Sequence, residues 1–230
     1  MRYENIYKGF FVERPNRFVA VVKLGHEMVI AHVKNTGRCR ELLLPGAAVY
    51  LQKAENPTRK TQYDLIGVEK ETQRGRMMVN MDSQAPNRVF AEWAETGRFL
   101  PGLKVLRPET KWGNSRFDFY WEAGERKGFT EVKGVTLENE GHACFPDAPT
   151  ERGVKHLEEL IRAKAAGYEA AVCFVIQMAP MKDFGPNDDT HPAFGEALRR
   201  AKAAGVEILA MECRVGPDCL EIWRPVPVVL

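Results

Sequence analysis

The chain has 230 residues, 44% of them hydrophobic and 28% charged, a balance that excludes a disordered or fibrous protein and suffices for one large domain or two small ones. Its formal charge of +2 does not by itself mark a nucleic-acid binder, but the charge is uneven: residues 1–86 hold 14 Lys plus Arg against 9 Asp plus Glu, and the remainder holds 19 against 22. A positive N-terminal part can face phosphates, and a solvated basic surface gives the same count.

The first residues, MRYENIYKGFFVERPNRF, lack an apolar core ahead of a small-residue cleavage site. No later run approaches the ~20 apolar residues of a membrane span, so the expectation is an intracellular, cytoplasmic protein with no membrane partner. Five cysteines, at positions 39, 144, 173, 213 and 219, show no CxxC spacing and read as ordinary reduced thiols.

In chain order, RFVAVVKL and EMVIAHV read as strands turning at Gly25, followed by strands at AAVYLQKA and YDLIGVEK. Curling these into a small β-barrel would remove exposed edges. Between them, Asn35, Thr36 and Gly37 suit a tight turn with Arg38 and Arg40 beside it, and Arg59 and Lys60 add charge nearby. Such a loop can hold phosphate or can be a plain structural turn with solvated arginines. No GxxxxGK[ST] loop is present, so P-loop nucleotide hydrolysis has no support.

RGRMMVNMDSQAPNRVF reads as a turn-rich link, and RVFAEWAETGRF as a short helix ending near Gly97. This places a boundary near residue 85, dividing the chain into residues 1–85 and 86–230. The second part alternates strands, at VLRPETKW, SRFDFYW, GFTEVKGVTL, EAAVCFVIQM and VEILAMEC, with helices at TERGVKHLEELIRAKAAG and HPAFGEALRRAKAAG, a mixed α/β pattern. Thr150 suits the entry of the first of these helices. Asp188, Asp189 and His191 resemble a metal cluster in composition, but their Pro-containing loop reads as solvated. The repeated AKAAG marks two similar helix ends, and WRPVPVVL an extended terminal segment.

Strand alternation puts Phe117, Phe119 and Trp121 on one face of SRFDFYW and Asp118 on the other. In TEVKGVTL, Glu131, Lys133 and Val135 share a face. Neighbouring strands would then bring Asp118, Glu131 and Lys133 into one cleft. Two close carboxylates repel unless one is protonated or a cation neutralises them. A hard divalent ion such as Mg2+ or Mn2+ would do so and could also bind phosphate oxygens. Ordinary surface ion pairs are the competing reading of the same three residues.

Phe18 to His32 with NTGR at residues 35–38, SRFDF at 115–119, EVKGVTL at 131–137 and CFPDAPTERGVKHLEEL at 144–160 together resemble the bacterial and archaeal sugar fermentation stimulation protein A family along nearly the whole chain. The resemblance implies an N-terminal OB-like domain, a C-terminal PD-(D/E)xK nuclease-like domain, DNA binding and a regulatory link to sugar, particularly maltose, metabolism. It implies catalytic roles for Asp118, Glu131 and Lys133, with Glu109 joining Asp118 and Glu131 as a metal ligand. Pro146-Asp147 follows the ExK segment and is not the opening PD. In the TERG segment, Arg152 and Lys155 become candidate phosphate contacts and His156 a supporting or packing residue. Relatives commonly carry PNTGR where this chain has Lys34, which loosens the turn and adds charge. Arg38, Arg40, Arg59 and Lys60 would contact a nucleic-acid backbone without reading sequence, and Phe18 and Tyr50 would either stack on bases or fill the core. The resulting expectation is a nonspecific DNA-binding protein, with a metal-dependent endonuclease on DNA or RNA, or a nonenzymatic regulatory module, as alternatives.

Overall fold

The computed structural model describes every residue except Thr36 and Arg74. Its first strands are β1 (Ile6–Asn16), β2 (Val19–Leu24), β3 (Glu27–Val33), β4 (Ala48–Lys53), β5 (Tyr63–Thr72) and β6 (Gly75–Asn80). They form one sheet in the order β3-β2-β1-β4-β5-β6, and β3 also pairs with β5 through Ala31–Val33, so the pairings return on themselves. That return pairs part of the edge that β3 would otherwise expose. Alternation turns Phe11, Ala20, Val22, Ala31, Val49, Leu51 and Leu65 inward.

After helix α1 (Ala85–Glu95) come β7 (Leu103–Trp112), β8 (Ser115–Ala123), β9 (Arg126–Val135), β10 (Leu137–Asn139) and β11 (His142–Phe145). Helix α2 (Glu151–Ala165), β12 (Glu169–Ile176), β13 (Asp183–Pro186), α3 (Pro192–Ala203), β14 (Glu207–Val215) and β15 (Leu220–Pro225) complete the chain. The main sheet here runs β15-β14-β12-β9-β8-β7, with β12 parallel to both β9 and β14. Burial on both faces explains why β12 is a continuous apolar run. Val172, Phe174 and Ile176 pack with Leu157, Leu160, Phe194 and Leu198 of α2 and α3, while Cys173 and Val175 pack with Val89, Phe90 and Trp93 of α1. The helices therefore cover opposite faces.

Two expectations are corrected. Phe117 and Phe119 do not share a face: Phe117 packs on Phe129 at 5.0 Å in the α2 cluster, whereas Phe119 packs on Phe90 at 5.1 Å in the α1 cluster. The alternation breaks at Asp118, where the β8–β9 ladder, whose last pair is Phe119 with Thr130, comes to an end. The loop around His191 is not simply solvated. His191 is buried with Nδ1 accepting from the Thr150 backbone N–H at 3.3 Å, and Asp188 pairs with Arg199 at 2.6 Å. Among the described residues no helix is long and apolar enough to cross a membrane.

Candidate functional site

Asp118 stands where β8 and β9 part, and its carboxylate replaces the missing ladder contact. Its Oδ2 accepts from the Val132 backbone N–H at 2.8 Å and its Oδ1 from the Asn87 side-chain amide, in the first turn of α1, at 2.9 Å. Glu131 lies on the other side of that parting with only 2% of its surface exposed. Lys133, two residues on along β9, donates to Glu131 Oε1 at 2.6 Å, and His156 Nδ1 from the first turns of α2 contacts the same oxygen. Arg152 Nε donates to His156 Nε2 at 3.3 Å. Since a guanidinium can only donate, Nε2 accepts in this contact, and Nδ1 is shared between Glu131 and Lys133 Nζ, 3.5 Å away.

Glu131 thus has one oxygen doubly served and one, Oε2, buried without a hydrogen-bond partner. Burial and, after it, the Glu131 charge push the Asp118 carboxyl above its usual range despite the Val132, Lys133 and Asn87 contacts. Burial acts upward on Glu131 too, but His156 and Lys133 outweigh it and hold that carboxyl low. One acid is kept ionised and its neighbour resists ionising, an arrangement whose cost a bound cation relieves.

Glu109 does not join them. It falls between the Pro108–Phe119 and Thr110–Phe117 pairs, but its backbone is left-handed (φ 53°) and its exposed carboxylate pairs with Arg116 at 3.4 Å. Among the described residues no three His, Cys, Asp or Glu side chains converge as a metal cluster. Arg152 reaches the site through His156, whereas Lys155 is turned to the Asn114 carbonyl at 3.3 Å.

In the N-terminal part, Arg38 and Arg40 are exposed, and Asn35 Oδ1 accepts from the Gly37 N–H at 2.8 Å; Thr36 lies outside the described residues. Sequence reading missed the residue that holds this loop. Arg14 donates to the carbonyls of Asn35 (2.9 Å), Gly37 (3.1 Å) and Arg38 (2.7 Å), and also to that of Arg17 at 2.6 Å. Arg14, Arg17, Arg38 and Arg40 border an open cavity of about 400 Å³ whose lining contains no acid. Arg59 is corrected: both oxygens of Asp64 take its guanidinium, at 2.7 and 3.0 Å, so its charge is spent inside the protein. Lys60 is exposed. The charge added by Lys34 is likewise taken up, by Asp82 at 2.7 Å. Tyr50 is buried, whereas Phe18 is 43% exposed beneath the Arg17 guanidinium, 4.6 Å from its ring centre.

An OB module followed by an α/β unit with an acidic pair and a lysine at a strand parting is the class these features define. The domain described as the SfsA N-terminal OB domain matches residues 12–81, and the sugar fermentation stimulation protein RE domain matches residues 84–219. The chain belongs to the sugar fermentation stimulation protein family. It is 59% identical over 221 residues to the sugar fermentation stimulation protein homolog of Desulfitobacterium hafniense (strain Y51), covering 96% of this chain and 95% of that protein. The Clostridium beijerinckii homolog is 53% identical over 230 residues, all of both chains. The Pyrococcus furiosus SfsA structure, solved in complex with Ca2+, is 28% identical, covers 100% of this chain and 98% of that one, and superposes with a TM-score of 0.88. The family's name ties it to sugar fermentation.

Proposed function

We propose that the protein is a metal-dependent nuclease acting on nucleic acid, with an N-terminal OB barrel, residues 1–85, and a PD-(D/E)xK nuclease-like domain, residues 86–230. The observation that carries this reading is Glu131 Oε2, buried and unpaired beside Asp118. Oxygen donors alone suit a hard cation, and the Ca2+ complex of the P. furiosus relative supports the same donor chemistry. Asp118 and Glu131 would hold Mg2+ or Mn2+, which when bound supplies a Lewis acid for a phosphodiester and lowers the pKa of water. Lys133 places a positive charge where phosphate charge develops, and His156 holds Glu131 in its present rotamer with Oε2 left open. Arg152 and the arginine rim supply phosphate contacts, which give affinity for DNA or RNA without sequence reading.

A second reading, a regulatory DNA-binding module of sugar metabolism that binds metal without turnover, is favoured by Glu109 turning away and leaving only two acids. In either case the site of action is the cytoplasm, where its nucleic acid lies. The test is cleavage of single-stranded DNA, duplex DNA and RNA with Mg2+ or Mn2+. Asp118→Ala and Glu131→Ala should abolish cleavage, and Lys133→Met should lower it roughly 10²–10³-fold with little change in binding. Binding without turnover on every substrate would select the second reading.

A further inference from the structure

A second cavity, of about 110 Å³, lies between the two parts of the chain and has no role in the reading above. Gly134, directly after Lys133, lines it. Only glycine fits at this point of the wall: a Cβ there would lie 2.5 Å from Gln177 Oε1 and 2.7 Å from Pro86 Cγ. Gly134 follows Lys133 on β9, so the cavity adjoins the acidic site along that strand. Its walls carry the side chains of Asn35, Ser83, Thr136, Phe145, Asp147 and Gln177.

The chemistry of these walls is specific. Gln177 is 2% exposed and donates its amide hydrogens to Asn80 Oδ1 at 2.8 Å and to the Asp82 carbonyl at 3.0 Å. Its Oε1 is therefore the acceptor end of the amide and lies against Gly134. Thr136, 9% exposed, adds a hydroxyl to the wall, and Asp147 a carboxylate whose Oδ2 lies 2.4 Å from where a Gly37 Cβ would stand. Phe145 supplies a flat apolar wall held by Phe174 and Phe194, at 5.6 and 5.0 Å between ring centres. Among the described residues no lysine or arginine lines the cavity, and Asp147 would repel a phosphate. The volume is well below the roughly 300–1,000 Å³ of a site for a drug-sized ligand and admits nothing larger than one flat heterocycle.

Resting on the nuclease reading, we propose that this cavity takes a single unstacked nucleobase of the bound strand and favours bases that present amino hydrogens. Guanine, adenine and cytosine carry an exocyclic amine with two hydrogens, one for Gln177 Oε1 and one for Asp147, whereas thymine has only its single N3–H to give. Asn35 borders the base cavity, and Arg38 belongs to the arginine rim, where the neighbouring phosphates sit.

The experiment is fluorescence anisotropy in Ca2+ with single-stranded oligothymidylate, compared with the same strand carrying one internal dG, dA or dC. One amino-bearing base should tighten binding at least about tenfold, within the roughly 5- to 150-fold that a good base contact provides. Because this gain is not electrostatic, it should persist as salt rises while the oligothymidylate affinity falls. Thr136→Val and Asp147→Asn, both close in volume to the native residues, should remove the gain and leave oligothymidylate binding unchanged. Equal affinity for all four strands overturns the base pocket while the nuclease reading stands, and so does a gain that survives both substitutions. Failure to bind any of these strands overturns the inference, and the nuclease reading falls with it where duplex DNA and RNA are left unbound as well.

Discussion

Asp64 decides what Arg59 does. It is 9% exposed, it carries the Arg59 guanidinium on both oxygens, and His32 Nδ1 lies 3.3 Å from Oδ1. Burial acts upward on its carboxyl, but Arg59, Lys34 and His32 together hold it below the ordinary value. A carboxyl lowered on folding stabilises the protein above its unfolded pKa, near about 3.9, and that stability is lost as pH falls through the lower folded value. Asp64→Asn should therefore melt below the native protein at pH 7, with the gap narrowing as pH falls below about 4. A gap in melting temperature that stays constant over that range would refute the assignment. Sequence reading placed Arg59 on a phosphate because the acid that captures it sits five residues on, across a turn. Glu131 and Lys133 were legible because period-two alternation needs only the strand itself. His156 and Asn87 reach the same site from helices on opposite faces of the sheet, and which helix covers which face is set by packing that no local pattern contains.

At the scale of elements, α2 is the piece that converts a surface acid into a buried site, since it delivers both His156 and Arg152. Its start is fixed by Thr150, whose hydroxyl oxygen accepts from the Gly153 N–H at 3.1 Å, and by Glu151 in the first turn. Thr150→Ala should cost about 1 kcal/mol in denaturant unfolding. Because His156 lies in the next turn, the substitution should also weaken Mg2+ binding measured by calorimetry. Loss of stability with unaltered metal affinity would show that α2 does not hold the site. The cap, the apolar spacing of Leu157 and Leu160 and the run of β12 made this region readable. β1 and β6 were not, for physical reasons. IYKGFFVERPN mixes exposed Tyr7 and Phe10 with a buried glycine, Gly9, whose missing Cβ admits Val22 at 2.7 Å, so its burial pattern exists only against β2. In GRMMVN the pairing with β5, from Thr72 with Gly75 to Gly67 with Asn80, makes a strand of what the sequence presents as a link.

The two parts of the molecule share one apolar cluster, reaching from Phe11 and Val22 through Met81 to Val135 and Phe174. A buried polar network crosses the same junction. Asp82 accepts from Lys34 Nζ, Tyr3 Oη and the Gln84 N–H, and Gln177 ties Asn80 and the Asp82 carbonyl to the end of β12. Lys34 precedes Asn35 and Arg38 in the chain, so this ion pair joins the arginine rim to the segment between β6 and α1. Lys34→Met would leave the Asp82 carboxylate, 3% exposed, without its cation. Removing one partner of a fully buried pair costs roughly 3–5 kcal/mol, and the partial exposure of Lys34 places the expected loss near about 2 kcal/mol. That corresponds to a fall in melting temperature on the order of 5 °C. If the junction transmits position as well as stability, the same variant should also bind nucleic acid more weakly at temperatures where it is fully folded, although Lys34 itself faces Asp82. A cooperative melt lowered by this amount with native binding would confine the pair to stability. Melting as two separate transitions would show that Lys34–Asp82 is what makes the two parts unfold together.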